Sequence, residues 1–385
     1  MTAYDPAAER AVRVGRLVDE WTRSGLLTGV QRDAIVPSLA VPLRRTNRFL
    51  RVTLLVITAV ILQAALGLFV VLLGSALTAF SVGVVCVGAA VVFGWFAAWL
   101  ARRYAFYRFG VEEANAVAAI VLATVGAALM TSSGDDGMVV AGVTAGGVAA
   151  LAAYRWFGFL YAAVAAIACA AALPFPLLDF TAASRLVALL VLAAAAFGLR
   201  RARAALADEF PGDTYAVLEA LTWLGAYALA NLQISGALTS SAPPSWLYWS
   251  SYAATWILPA LALWTAACGR DRWLLRAALA MALASIASNQ GYLGSPRHEW
   301  DPVVFGLLLI GGTLAVRRWL AAGVDGARSG YTAVRILASD AAALDGLAMV
   351  SALQTQSMTS PATPPAAPGI GDGGRSGGAG GGAAF

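Results

Sequence analysis

The chain contains no lysine; all 26 of its basic residues are arginine. With the abundance of alanine, that bias points to a GC-rich bacterial genome and says nothing of function. Only one histidine, His298, and three cysteines occur in 385 residues. Cys86, Cys169 and Cys268 lie far apart, each inside an apolar stretch and without CxxC spacing. They read as small packing residues, which excludes a disulfide scaffold and a cysteine metal centre. Charged residues are scarce at 12%, against about 25% in a soluble domain. Also missing are a P-loop, a GxSxG elbow, an HExxH pair and a GxGxxG turn after a strand. No catalytic set, cofactor motif or metal-ligand set stands out. The net charge of +5 is not a nucleic-acid footprint, because the arginines are spread along the chain instead of gathered on one face.

Apolar residues make up 60% of the chain, and the mean hydropathy is +0.73. They fall in about ten segments, near 52–73, 79–100, 113–131, 138–154, 157–173, 183–199, 215–235, 246–268, 273–290 and 302–318. A bilayer offers no water to backbone polar groups, so spans of this length must be helices. The expected fold is all-α: a polytopic transmembrane bundle of about ten spans over 51–320. Tyr154-Arg155-Trp156 divides the fourth from the fifth, because an arginine is far cheaper at an interface than at mid-bilayer.

The gaps alternate in charge. Arg102, Arg103 and Arg108 occupy one gap, followed at every second gap by Arg155, by Arg200, Arg201 and Arg203, by Arg270, Arg272 and Arg276, and finally by Arg317 and Arg318. The opposite gaps hold only Arg185 and Arg297, with the acidic pair Asp135 and Asp136. The positive-inside rule then puts both termini in the cytoplasm of a bacterial inner membrane. Nine or eleven spans would break the alternation. Trp99, Trp246, Trp249 and Trp319 stand at segment ends, as an aromatic belt requires. Gly142-Val-Thr-Ala-Gly146 is a small-xxx-small pattern, more readily used for packing within the chain than for dimerisation.

Residues 1–50 form a cytosolic helical hairpin and a basic juxtamembrane segment, with no apolar region of the kind a cleavable signal peptide carries. A first helix runs from about Pro6 to Ser24, with Val14, Leu17 and Trp21 near one face and Gly25 ending it. Thr28 and Gln31 have capping-box spacing and open a second helix through Ile35. At the other end, 321–353 reads as a soluble stretch with an amphipathic helix over Tyr331–Leu353, and 354–385 is a Pro- and Gly-rich tail expected to be disordered.

Two stretches carry a family likeness. The run Trp21-Thr22-Arg23-Ser24-Gly25-Leu26-Leu27-Thr28-Gly29-Val30-Gln31 resembles the N-terminal segment of a family of bacterial membrane proteins of unknown function. There a tryptophan, a Gly-Leu step and a downstream glutamine precede a many-helix membrane region. The resemblance implies a small cytosolic hairpin ahead of the spans. The run from Tyr292 to Pro302, Arg317-Arg318-Trp319-Leu320 and the glycine-rich tail are similar to the C-terminal part of uncharacterised bacterial inner-membrane proteins. Neither resemblance implies an activity.

Two groups of polar residues are candidate sites. Glu219, Asn231 and Gln233 share the seventh span, where an intramembrane carboxylate is a transport candidate, although Glu219 could also reach the interface or an Arg200 or Arg201 partner. Arg297, His298, Glu299 and Asp301 gather on an external loop as an acid/base or ligand group; equally, Asp301 and Pro302 can simply cap the last span. Glu112, Glu113 and Asn115 open the third span, where carboxylates complement a helix N-terminus. The expectation is a non-enzymatic membrane component that docks partners at its cytosolic ends or senses the envelope. The alternative is a transporter of a small solute or lipid through the seventh span, weakened because the first and sixth spans lack Gly/Pro breaks.

Overall fold

In a computed structural model, the chain divides into two units, Met1–Val334 and Arg335–Phe385. The structure describes residues 3–44, 46–73, 78–131, 134–178, 182–205, 212–235, 244–269, 271–293, 301–323, 327–328 and 331–332. The tail and most of the expected C-terminal helix lie outside them.

The hairpin forms as its capping signals dictate. In α1 (Pro6–Arg23), Asp5 is the N-cap and accepts from the Ala7 amide at 3.2 Å, with proline in the first turn. Gly25 follows the helix with φ +78°. Thr28 and Gln31 close a complete capping box on α2 (Gly29–Ile35). The buried face of α1 is Ala8, Val12 and Val18 rather than Val14, Leu17 and Trp21. Spacing identifies amphipathicity, but Tyr4 and the Ala3 amide, which donates to the Trp156 carbonyl at 2.7 Å, decide which face turns inward.

Each of the ten apolar segments is helical. They are α3 (Arg48–Leu73), α4 (Ala79–Tyr104), α5 (Val111–Met130), α6 (Gly134–Phe157) and α7 (Leu160–Ala172), the last extended by a short α8 (Pro174–Leu177). After these come α9 (Ala182–Ala205), α10 (Gly212–Ala230), a short α11 (Leu232–Ser235), α12 (Ser245–Gly269), α13 (Arg272–Leu293) and α14 (Asp301–Ala321). Seven stretches of described residues, beginning at Phe49, Ala79, Val111, Gly134, Leu160, Ala182 and Ser245, are long and apolar enough to cross a bilayer. α10, α13 and α14 are outside that set.

The structure departs locally from the sequence expectation at three places. The break between α6 and α7 comes at Gly158, whose φ of +64° suits a residue without a Cβ, so the helix runs three residues past Tyr154. The seventh segment is not one helix but α10 and α11, interrupted at Asn231. Tyr331 and Thr332, expected to begin a helix, pair as β2 (Tyr331–Thr332) with β1 (Ala327–Arg328); both residues favour extended backbone.

Neighbours in sequence pack against one another along α4–α5–α6–α7 and α12–α13, with α9 on α10 and α10 on α13; α7 meets α9 and α10, and α3 lies on α5. The interior is built from small residues: Ala97, Ala150, Ala162, Ala188, Ala262 and Ala266 are fully buried. Large apolar side chains such as Trp95, Leu190, Phe197, Trp264 and Leu307 face outward. In water each would forfeit roughly 1.5–3 kcal/mol of burial energy, whereas lipid tails solvate them. Close helix contact through small residues, with bulky residues outside, is how helices associate when the solvent is itself apolar.

Candidate functional site

Asn231 sits where α10 stops and α11 begins, and its side chain is fully buried. Breaking a helix inside a bundle frees backbone groups that must find other partners. The Leu232 amide donates to the Tyr292 hydroxyl at 2.6 Å and to Ser251 Oγ at 3.3 Å, while Ser251 also donates to the Ala230 carbonyl. Asn231 Nδ2 donates to Ser288 Oγ at 2.9 Å and Tyr227 Oη at 3.1 Å; Asn231 Oδ1 accepts from the Gln233 amide at 3.0 Å. Arg185, buried on α9, reaches Ser235 Oγ at 3.0 Å. The interruption is thus closed by side chains of α10, α12 and α13.

Glu219 belongs to a different cluster. It lies twelve positions before Asn231 on α10, roughly 18 Å along the axis. Its carboxylate is 3.8 Å from Arg203 Nη1. Arg203 is ion-paired more closely with Asp271, the residue ahead of α13, which also accepts from the Trp273 and Leu274 amides. This cluster ties the end of α9 to α10 and the α12–α13 turn. Gln233 lies at the surface beside Gly291. The three seventh-span candidates therefore do not share one site. Arg297, His298 and Glu299 lie outside the described residues, as does the side chain of Asp301, whose backbone begins α14.

A third polar group, in the first half of the bundle, is larger than its sequence signal. Glu112 and Glu113 are both buried at the start of α5. Glu112 Oε1 accepts from the Phe109 amide at 2.6 Å, the helix-end role expected of it. Glu113 makes a two-pronged ion pair with Arg51 on α3, with Nε to Oε2 at 2.7 Å. Glu112 Oε2, Asn115 Oδ1 and the Tyr161 hydroxyl are buried without a hydrogen-bond partner among the described residues. Tyr4 lies near enough to act electrostatically with both carboxylates, its ring edge-on to Tyr107 at 5.0 Å and to Phe157 at 6.4 Å. Nothing in the local sequence around Tyr4 marks it as a neighbour of residues more than a hundred positions away.

Burial, reinforced by the charges of Glu112 and Glu113 and opposed by Arg108, raises the Tyr4 pKa well above the ordinary phenol range. Burial moves Tyr107 in the same direction. A phenol with a raised folded-state pKa contributes stability in full below its unfolded value of 10.0 and loses it as pH climbs further. The N-terminal segment of the wild type should therefore become open to proteolysis as the pH passes about 10. Tyr4→Phe should reduce that alkaline response, and Tyr4→Phe with Tyr107→Phe should remove it. An unchanged pH profile in the double variant would refute this coupling.

Among the described residues no group of three or more His, Cys, Asp or Glu could hold a metal ion, and the cysteines are unpaired with one another. The fold defines a helical protein with seven helices long and apolar enough to cross a membrane among the described residues. No family model, curated protein or solved structure matches the chain.

Proposed function

We propose that the protein is a multi-pass component of a bacterial cytoplasmic membrane, crossing it about ten times with both termini inside, and that it docks a cytoplasmic protein partner without catalysing a reaction. The hairpin carries this reading. α1 is held down through Val12 and Val18, whereas α2 buries no residue; its Val30 is 82% exposed, and Leu26 in the turn ahead of it is 57% exposed. An apolar edge on an anchored support is an interaction surface. The orientation is supported by where arginine-bearing ends meet: the N-terminal segment contacts Trp156, Arg44 bonds the α4–α5 connection, and Arg203 reaches Asp271. The two sequence resemblances support the bacterial inner membrane.

A transporter is the second reading, favoured by the interruption at Asn231, since broken helices line many transport sites. The bonds that Ser251, Tyr292 and Ser288 make there weigh against it, because they occupy the groups a solute would use. A photo-crosslinker at Val30 in intact membranes should yield a discrete protein adduct that Leu26→Asp abolishes. Adducts with lipid alone would sink the docking role. Reporter fusions in the same cells should read outside at Gly137 and inside at Arg201 and Asp271, and an inside signal at Gly137 would overturn the orientation.

A further inference from the structure

Between α9, α10 and α12 lies a groove of about 890 Å³, within the roughly 300–1,000 Å³ of sites that take small ligands. Its body is apolar, formed by Leu186, Leu190, Ala193, Phe197, Ile257 and Leu258. Its polar features include Arg200 and Glu219, with Thr222 and Ser250 further along. Arg200 has no ion pair within 4.0 Å among the described residues, yet it is close enough to act electrostatically on Glu219. Among the described residues Glu219 in turn has only the distant 3.8 Å contact with Arg203, whose guanidinium is engaged by Asp271. One cation and one carboxylate therefore stand together at one end of a long apolar slot. In helix α9 that end is the C-terminal one, the end that carries Arg200, Arg201 and Arg203.

We propose that this groove binds a glycerophospholipid whose head carries both a phosphate and a primary ammonium. The phosphate pairs with Arg200, a guanidinium suited to two-pronged bonds with an oxyanion. The ammonium donates to Glu219. An acyl chain lies along Leu190, Ala193, Phe197 and Ile257, and covers apolar surface that the described residues leave open. The charge pattern selects among lipids. A head with phosphate alone meets Arg200 but leaves Glu219 facing an anion. A quaternary ammonium has no N–H to donate. The site stands on its own geometry and does not depend on the docking role.

The test is native mass spectrometry of the full-length protein in detergent, titrated separately with phosphatidylethanolamine, phosphatidylcholine and phosphatidylglycerol of the same acyl composition. Phosphatidylethanolamine should bind about tenfold more tightly than the other two, the worth of one charge-assisted hydrogen bond. Glu219→Gln should abolish the preference over phosphatidylcholine, and Arg200→Gln should weaken all three lipids. Ala193→Phe fills the slot without touching the ionic end and should abolish binding at an unchanged thermal midpoint, so a folding defect in Glu219→Gln would not leave the site untested. Equal binding of the three lipids, or undiminished binding to Ala193→Phe, overturns the proposal. So does a disulfide formed between cysteines placed at Leu190 and Ile310, within one chain or between two, because it would mean that α14 or a second copy fills the groove.

Discussion

Gly83→Leu should unfold the purified protein at a markedly lower temperature, while Gly88→Leu, five positions later in the same helix, should leave the midpoint nearly unchanged. A Cβ at Gly83 would stand 2.6 Å from Met130 Cγ and 2.8 Å from the Gly126 carbonyl oxygen on α5; at Gly88 it would meet nothing within 4 Å. The contact is reciprocal, since a Cβ at Gly126 would lie 2.8 Å from the Gly83 carbonyl oxygen. A flexible methionine can move aside, but a carbonyl oxygen in a packed helix cannot. The helices must part, and overpacking of this kind costs about 3 kcal/mol. Thermal unfolding of both variants in one detergent checks it. Equal midpoints would mean that α4 and α5 are not in backbone contact.

Arg51→Met should be nearly as damaging, by about 2–3 kcal/mol, because it strands the buried carboxylate of Glu113. The Arg51 side chain is about a third exposed, which puts the loss at or below the lower end of the range for wholly buried pairs. Arg51→Met combined with Glu113→Gln should recover most of the loss, since the charge left behind is what destabilises the single variant. Non-additivity in this cycle, read from thermal or denaturant unfolding, is the measure of the pair. Additive effects would show that Arg51 and Glu113 act independently.

Much of the helical layout is legible in the sequence because its signals are local. Thr28 and Gln31 are three residues apart, so their capping box needs no distant partner. A run such as 79–100 is helical on its own account, since no other backbone arrangement satisfies its amides in an apolar solvent. The small-xxx-small pattern likewise goes where expected: Gly142 and Gly146 pack on Thr124 of α5, within the chain. The candidate sites are less legible. Glu219, Asn231 and Gln233 share a span by sequence, yet two separate clusters claim Glu219 and Asn231, and Gln233 lies at the surface.

The arginines illustrate the same division. Their placement in alternate gaps can be read directly, because each gap is local, and Arg200 was a visible neighbour for Glu219. That Arg203 also reaches Glu219 while engaging Asp271, sixty-eight positions further along, depends on how α9, α10 and α13 come together. The sequence by itself determined the helices, their caps and the small residues that let them approach, since these follow from backbone hydrogen bonding in an apolar solvent. The tertiary structure alone decided which face of α1 is buried, where the seventh segment breaks and which carboxylate meets which arginine. Those outcomes depend on side chains that are distant in sequence competing for the same few polar partners, and no local pattern encodes that competition.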